Sequence, residues 1–152
     1  MKSKTHVDRE AIIRLFEEIQ AAFPRLTMKL QRHHPYLDLS MDIPRQLGLT
    51  FDVNLNLQNV DELHLSAGHF WLEWFPCSDP KIVEDFREAV HGVLSGNYRI
   101  VEHCLGKRVL KSVLQQPCGQ GWKTIGTSGW WPFPIPWRVT TRELRNTEQL
   151  QA

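Results

Sequence analysis

Residues 49–75 read L-T-F-D-V-N-L-N-L-Q-N-V-D-E-L-H-L-S-A-G-H-F-W-L-E-W-F. From Leu49 to Leu57 the chain alternates without exception. Leu49, Phe51, Val53, Leu55 and Leu57 stand against Thr50, Asp52, Asn54 and Asn56. Successive side chains of a strand point to opposite faces, so this pattern predicts a strand with one buried and one solvated face. Such strands belong to an antiparallel sheet covered on one side. Asn59 to Asp61 then turns the chain. Glu62 to Phe75 reads as one long strand whose parity changes in the middle. Leu63 and Leu65 fall on one face, and the same count would bury His69 and Glu73. A bulge at Ala67-Gly68 restores the pattern, because one extra residue moves every later side chain to the other face. On this reading Leu63, Leu65, Phe70, Leu72 and Trp74 share the core face. His69, Trp71, Glu73 and Phe75 share the opposite one.

Outward from this block the pattern becomes mixed. Val7 to Phe23 carries Ile12, Leu15, Phe16, Ile19 and Phe23 at helical spacing, and Pro24 ends the run. Met28–Arg32 and Tyr36–Met41 are short alternating strands. Asp79 and Pro80 open a second helix as N-cap and first helical residue, and Gly96 closes it. Tyr98–Leu105 and Arg108–Gln115 form a hairpin that turns at Gly106-Lys107, and Trp122–Thr127 is a further strand. Trp130 to Trp137 reads W-W-P-F-P-I-P-W, with prolines at 132, 134 and 136. Three missing N–H groups on one side predict an edge strand protected from further pairing. Thr140 and Glu143 fit a capping box and predict a short C-terminal helix. The order is α-β-β-β-β-α-β-β-β. It predicts a single α+β domain over residues 1–152, with a curved antiparallel sheet and two main helices packed on one face.

Composition agrees with that class. The 152 residues are 41% hydrophobic and 23% charged, too apolar for a long disordered chain. No uninterrupted apolar run approaches membrane length. Met1 to Phe16 lacks the apolar block of a signal peptide, because Asp8, Arg9 and Glu10 precede Ile12. Cys77, Cys104 and Cys118 are an odd count at wide spacing without C-x-x-C, which predicts reduced thiols and a cytoplasmic protein. The net charge of +1 hides a segregation: residues 36–90 hold 3 basic and 10 acidic side chains, residues 91–152 hold 8 and 3. An acidic patch of this kind either balances basic ends within the fold or meets a basic partner.

Motifs of named chemistry are absent. There is no G-x-S-x-G and no G-x-G-x-x-G. Gly119-Gln120-Gly121-Trp122-Lys123-Thr124 lacks the glycine that a phosphate loop needs before its lysine. His103 and Cys104 are adjacent strand residues facing opposite ways, so the imidazole does not activate the thiol. None of the seven histidines has metalloprotease or zinc-knuckle spacing. His64 and His103 lie on different predicted strands. We therefore expect no metal and no other cofactor. The candidate ligand- or partner-binding residues are His69, Trp71 and Glu73, an imidazole and a carboxylate either side of an indole. Trp130 joins them as a candidate contact beside the basic residues Arg138, Arg142 and Arg145. The expected function is a small intracellular protein-binding module of adaptor or inhibitor type without catalytic activity. The first alternative is a small-molecule binder or enzyme with a pocket on the sheet. The second is nucleic-acid binding through the basic C-terminal third, which a balanced net charge disfavours.

Overall fold

The computed structural model describes residues 7–129 and 138–146. Helix α1 spans Arg9–Ala22 and is capped by Asp8, whose carboxylate accepts from the Glu10 N–H. Five strands follow: β1 Lys29–Gln31, β2 Leu39–Ile43, β3 Val53–Gln58, β4 Glu62–Ala67 and β5 Phe70–Trp74. Helix α2 spans Pro80–Ser95 and has both predicted ends, Asp79 accepting from the Lys81 N–H and Gly96 in the left-handed region at φ 81°. Four strands complete the described chain: β6 Arg99–Leu105, β7 Arg108–Cys118, β8 Gly121–Gly129 and β9 Val139–Leu144. The class is α+β, and every strand pair is antiparallel.

The strands form two sheets, of order β1-β2-β3-β4-β5 and β8-β7-β6-β9, where the pattern predicted one curved sheet. The reason is local. After β5 the chain leaves into α2, and β6 returns to pair with β7 and β9 instead of β5. The sheets meet edge to edge at β5 and β8, where the Trp71 N–H donates to Ser128 Oγ at 3.2 Å. Gly126 makes this approach feasible, because a Cβ there would run into Leu72. Helix α2 packs between the first sheet and α1: Phe86 lies edge-on to Trp74 at 5.4 Å and stacks on Phe16 of α1 at 6.3 Å. Asn146 ties the last described residues to α2, its amide donating to the Val93 and Leu94 carbonyls at 3.2 and 3.0 Å. One contiguous core runs from α1 through the first sheet and α2 to Ile100 and Leu114 of the second.

The long strand from Glu62 to Phe75 does not exist. Ala67 pairs with Phe70 across a two-residue turn, Gly68-His69, and the chain doubles back as a hairpin. Gly68 has φ 58°, which suits the first central residue of the tight turn that hairpins favour. A bulge and this turn switch parity identically, so the predicted core face holds, with Leu63 opposite Trp74 and Leu65 opposite Leu72, but His69 falls in the turn and leaves the opposite face. Two further readings change. The alternating run 49–57 enters the sheet only at Val53, with Leu49 and Phe51 buried in the loop before it. The capping-box residues Thr140 and Glu143 lie in β9, because Ile100 to Leu105 offers them a full antiparallel ladder. The edge-strand reading of Trp130–Trp137 falls outside the described residues.

Candidate functional site

The outer face of the first sheet is where the candidates begin to meet. On β3, Asn54, Asn56 and Gln58 face away from the core and bond to one another. Gln58 donates to Asn56 at 2.9 Å, Asn56 to Asn54 at 2.7 Å, and Asn54 to Asp42 at 2.7 Å. On β4 and β5 the outward residues are Glu62, His64 and Ser66 beside Trp71 and Glu73. His64 is the cross-strand partner of Glu73, and Ser66 of Trp71. The His64 ring stacks on Trp71 at 6.4 Å and 14°. Its Nε2 lies 3.4 Å from a Glu62 carboxylate oxygen and 3.9 Å from one of Glu73. Asn59 donates to the same Glu62 oxygen at 2.9 Å. Trp71 and Phe75 are 51% and 57% exposed, on either side of Glu73, with Val60 exposed at the β3–β4 turn. The structure thus brings Trp71 and Glu73 to one face and adds His64 and Glu62 to them.

His69 is elsewhere. As the second turn residue it leaves that face and reaches the second sheet, where its Nδ1 lies 2.7 Å from Glu102 Oε2. Glu102 sits on β6 with no exposed side-chain surface, while His69 and Arg142 are 62% and 57% exposed. Arg142 on β9 donates to the other oxygen, Oε1, through Nε at 3.2 Å and Nη2 at 2.9 Å. Burying a lone carboxylate is prohibitive, so these donors make the position tenable. The carboxylate in turn holds the Arg142 guanidinium above its ordinary range, chiefly through their hydrogen bond. The row continues across the sheet as Arg142, Glu102, Ser112 and Ser128, each the cross-strand partner of the next. Gly68 closes the corner: a Cβ there would lie 2.7 Å from Leu144 and 4.0 Å from Glu102 Oε1. This group fastens the β4–β5 turn to the second sheet. Trp130, the fourth candidate, lies outside the described residues.

Other titratable groups are set by burial. Burial pushes the Cys77 thiol up to about 11, with Asp61 adding to the effect. Burial and then Arg87 hold His91 below its ordinary value, and burial and Lys111 do the same for His103. His64 and His103 do not converge, since they stand in different sheets. Among the described residues, the group of histidine, cysteine or carboxylate ligands close enough for one metal is Glu62, His64 and Glu73. The spacing E-x-H was present in the sequence, but Glu73 joins it only through the hairpin register. Comparison with known proteins finds no match to any family model, any curated protein or any solved structure.

Proposed function

We propose that the chain is a protein-binding module of the adaptor or inhibitor kind, and that its contact surface is the outer face of β5. The observation that carries this reading is the pair Trp71 and Phe75, each more than half exposed, the first on β5 and the second just beyond its end. Large aromatic side chains on a rigid element are the anchors that dominate binding energy. Glu73 lies between them and Glu62 beside them, within a segment, residues 36–90, of 10 acidic and 3 basic side chains. The fitting occupant is a protein segment that presents an arginine or lysine, its charge on Glu73 and its stem over the Trp71 ring. The basic C-terminal third offers less to a nucleic acid than its count suggests. Arg99 and Arg142 bond to Glu143 and Glu102, and Arg99 and Arg145 both lie over Trp122.

A second reading, a small-molecule binder, rests on a hollow of about 490 Å³ on the outer face near Gly68, lined by Lys29, Asp42, Asn54 and Ser66. We further place the protein in a reducing compartment such as the cytoplasm, since its three cysteines are unpaired. No helix among the described residues is long and apolar enough to cross a membrane. The test is selection from a random-peptide display library, with Trp71→Ala and Glu73→Lys run in parallel. The reading expects basic peptides that bind the wild type and lose binding in both variants. Peptides that bind all three proteins alike, or no enrichment at all, overturn it. In the latter case a thermal-shift screen of small molecules against wild type and Asp42→Asn, which alters the lining of that hollow, decides the second reading.

A further inference from the structure

We propose that Glu62, His64 and Glu73 bind one divalent transition-metal ion of the zinc class. The three ligands stand on two adjacent strands in fixed register. Glu62 is two residues before His64 on the same face of β4, and Glu73 is directly opposite His64 on β5. Their ligand atoms all lie within 4.8 Å of one another. Donors about 2.0–2.1 Å from a tetrahedral zinc ion are separated by about 3.3 Å. The His64–Glu62 separation is 3.4 Å, already at that edge length, and the His64–Glu73 separation is 3.9 Å. Glu73 is 52% exposed, so its carboxylate has room for the remaining adjustment. That exposure also leaves the fourth position open to water.

The donor set selects the class of ion. Two carboxylates alone suit calcium or magnesium, whereas an imidazole turned toward them favours zinc, nickel or copper. The surroundings orient the ligands. Asn59 donates to the Glu62 oxygen that faces His64, at 2.9 Å. The Trp71 ring, stacked on His64, holds the imidazole plane, and His64 itself is 12% exposed. Outer partners of this kind fix metal ligands in place. Electrostatics point the same way. Among the described residues, the side chain that approaches both Glu62 and Glu73 is His64, and neither carboxylate has an ion pair to lysine or arginine, so their mutual repulsion is uncompensated. A dication at their centre relieves that repulsion.

The experiment is calorimetric titration of the protein with zinc chloride, in a Cys118→Ser background that removes the exposed thiol. Cobalt(II), whose visible absorption reports tetrahedral coordination, is the parallel probe. The expected result is one ion per chain, an affinity at least tenfold weaker in Glu73→Gln, and loss of binding in His64→Gln. Asn59→Ala should weaken binding about tenfold without removing a ligand. Glu73→Gln changes an exposed side chain, so a folded variant is available even where His64→Gln is not, and circular dichroism checks both. Absence of binding, or binding that survives both ligand substitutions, overturns the proposal. The cluster is then a histidine packed between two carboxylates without a metal role. No partner enters the titration, so its outcome is independent of the protein-binding reading.

Discussion

His69 is 62% exposed and sits in a tight turn, yet its replacement by alanine should destabilise the fold far more than an ordinary surface change. The argument runs through Glu102. Its carboxylate has no exposed surface, and its two oxygens are divided: Arg142 serves Oε1 and His69 serves Oε2. Substitution of His69 leaves Oε2 of a buried charge without its donor. An unsatisfied buried acceptor costs about 1–3 kcal/mol, and more when charged. Water entering the space left by the imidazole recovers part of that, which gives about 2 kcal/mol. Surface substitutions usually lie within about 0.5 kcal/mol of neutral. In a chain of this size the loss corresponds to a fall in Tm of about 4–8 °C. Urea unfolding followed by tryptophan fluorescence measures it directly, provided the slope is unchanged. The decisive control is a double-mutant cycle with Glu102→Gln. Removing His69 should be much cheaper when no carboxylate waits beneath it, with a coupling energy above about 1 kcal/mol. A His69→Ala variant within 0.5 kcal/mol of wild type, or an equal loss in both backgrounds, would refute the reasoning.

Three further outcomes follow from burial and packing. Cys77, buried and raised to about 11, should resist thiol reagents at pH 8, while exposed Cys118 reacts quickly, so that Cys118→Ser abolishes the fast phase. His91 is held below its ordinary 6.5 by burial and Arg87, so the folded protein binds fewer protons than the unfolded chain. Its contribution is therefore complete above pH 6.5 and is lost as the pH falls toward the depressed folded value; urea midpoints at pH 7.5 and 5 should differ, and by less in His91→Gln. Gly92→Ala should destabilise α2 although alanine favours helix by about 1 kcal/mol, because the new methyl group meets the Tyr98 ring. A thermal melt that rises in that variant would show that the ring moves aside freely.

What could be read from the sequence divides along a physical line. Features decided within a few residues were legible: the Asp79 cap, Pro80, the left-handed Gly96, and the hairpin about Gly106-Lys107. The inward and outward sides of Glu62–Phe75 were legible too, since parity alone determines them. The direction of the chain was not. One strand with a bulge and two strands with a Gly-His turn bury the same residues, and only tertiary pairing separates them. The candidate site depends on that distinction. Along a single strand His64 and Glu73 would be about 30 Å apart; across the hairpin they are neighbours, and His69 is carried away to Glu102. Glu102 itself carried no signal, because a glutamate in an alternating strand reads as solvated until the covering turn is known.

The amide chain on β3 has a consequence for how this surface can change over generations. Gln58, Asn56 and Asn54 each donate in the same direction along the strand, and the series ends on the Asp42 carboxylate. Asn56 and Asn54 are each donor to one neighbour and acceptor from the other, and Gln58 opens the series as a donor. Replacing Asn54 alone strips Asn56 of its acceptor and Asp42 of one donor, whereas replacing the series together leaves no amide unpaired and costs only that donor to Asp42. Single steps away from this sequence are therefore penalised more than the combined step, so the three positions should drift as a block, and a descendant lacking one amide should tend to lack its neighbours as well.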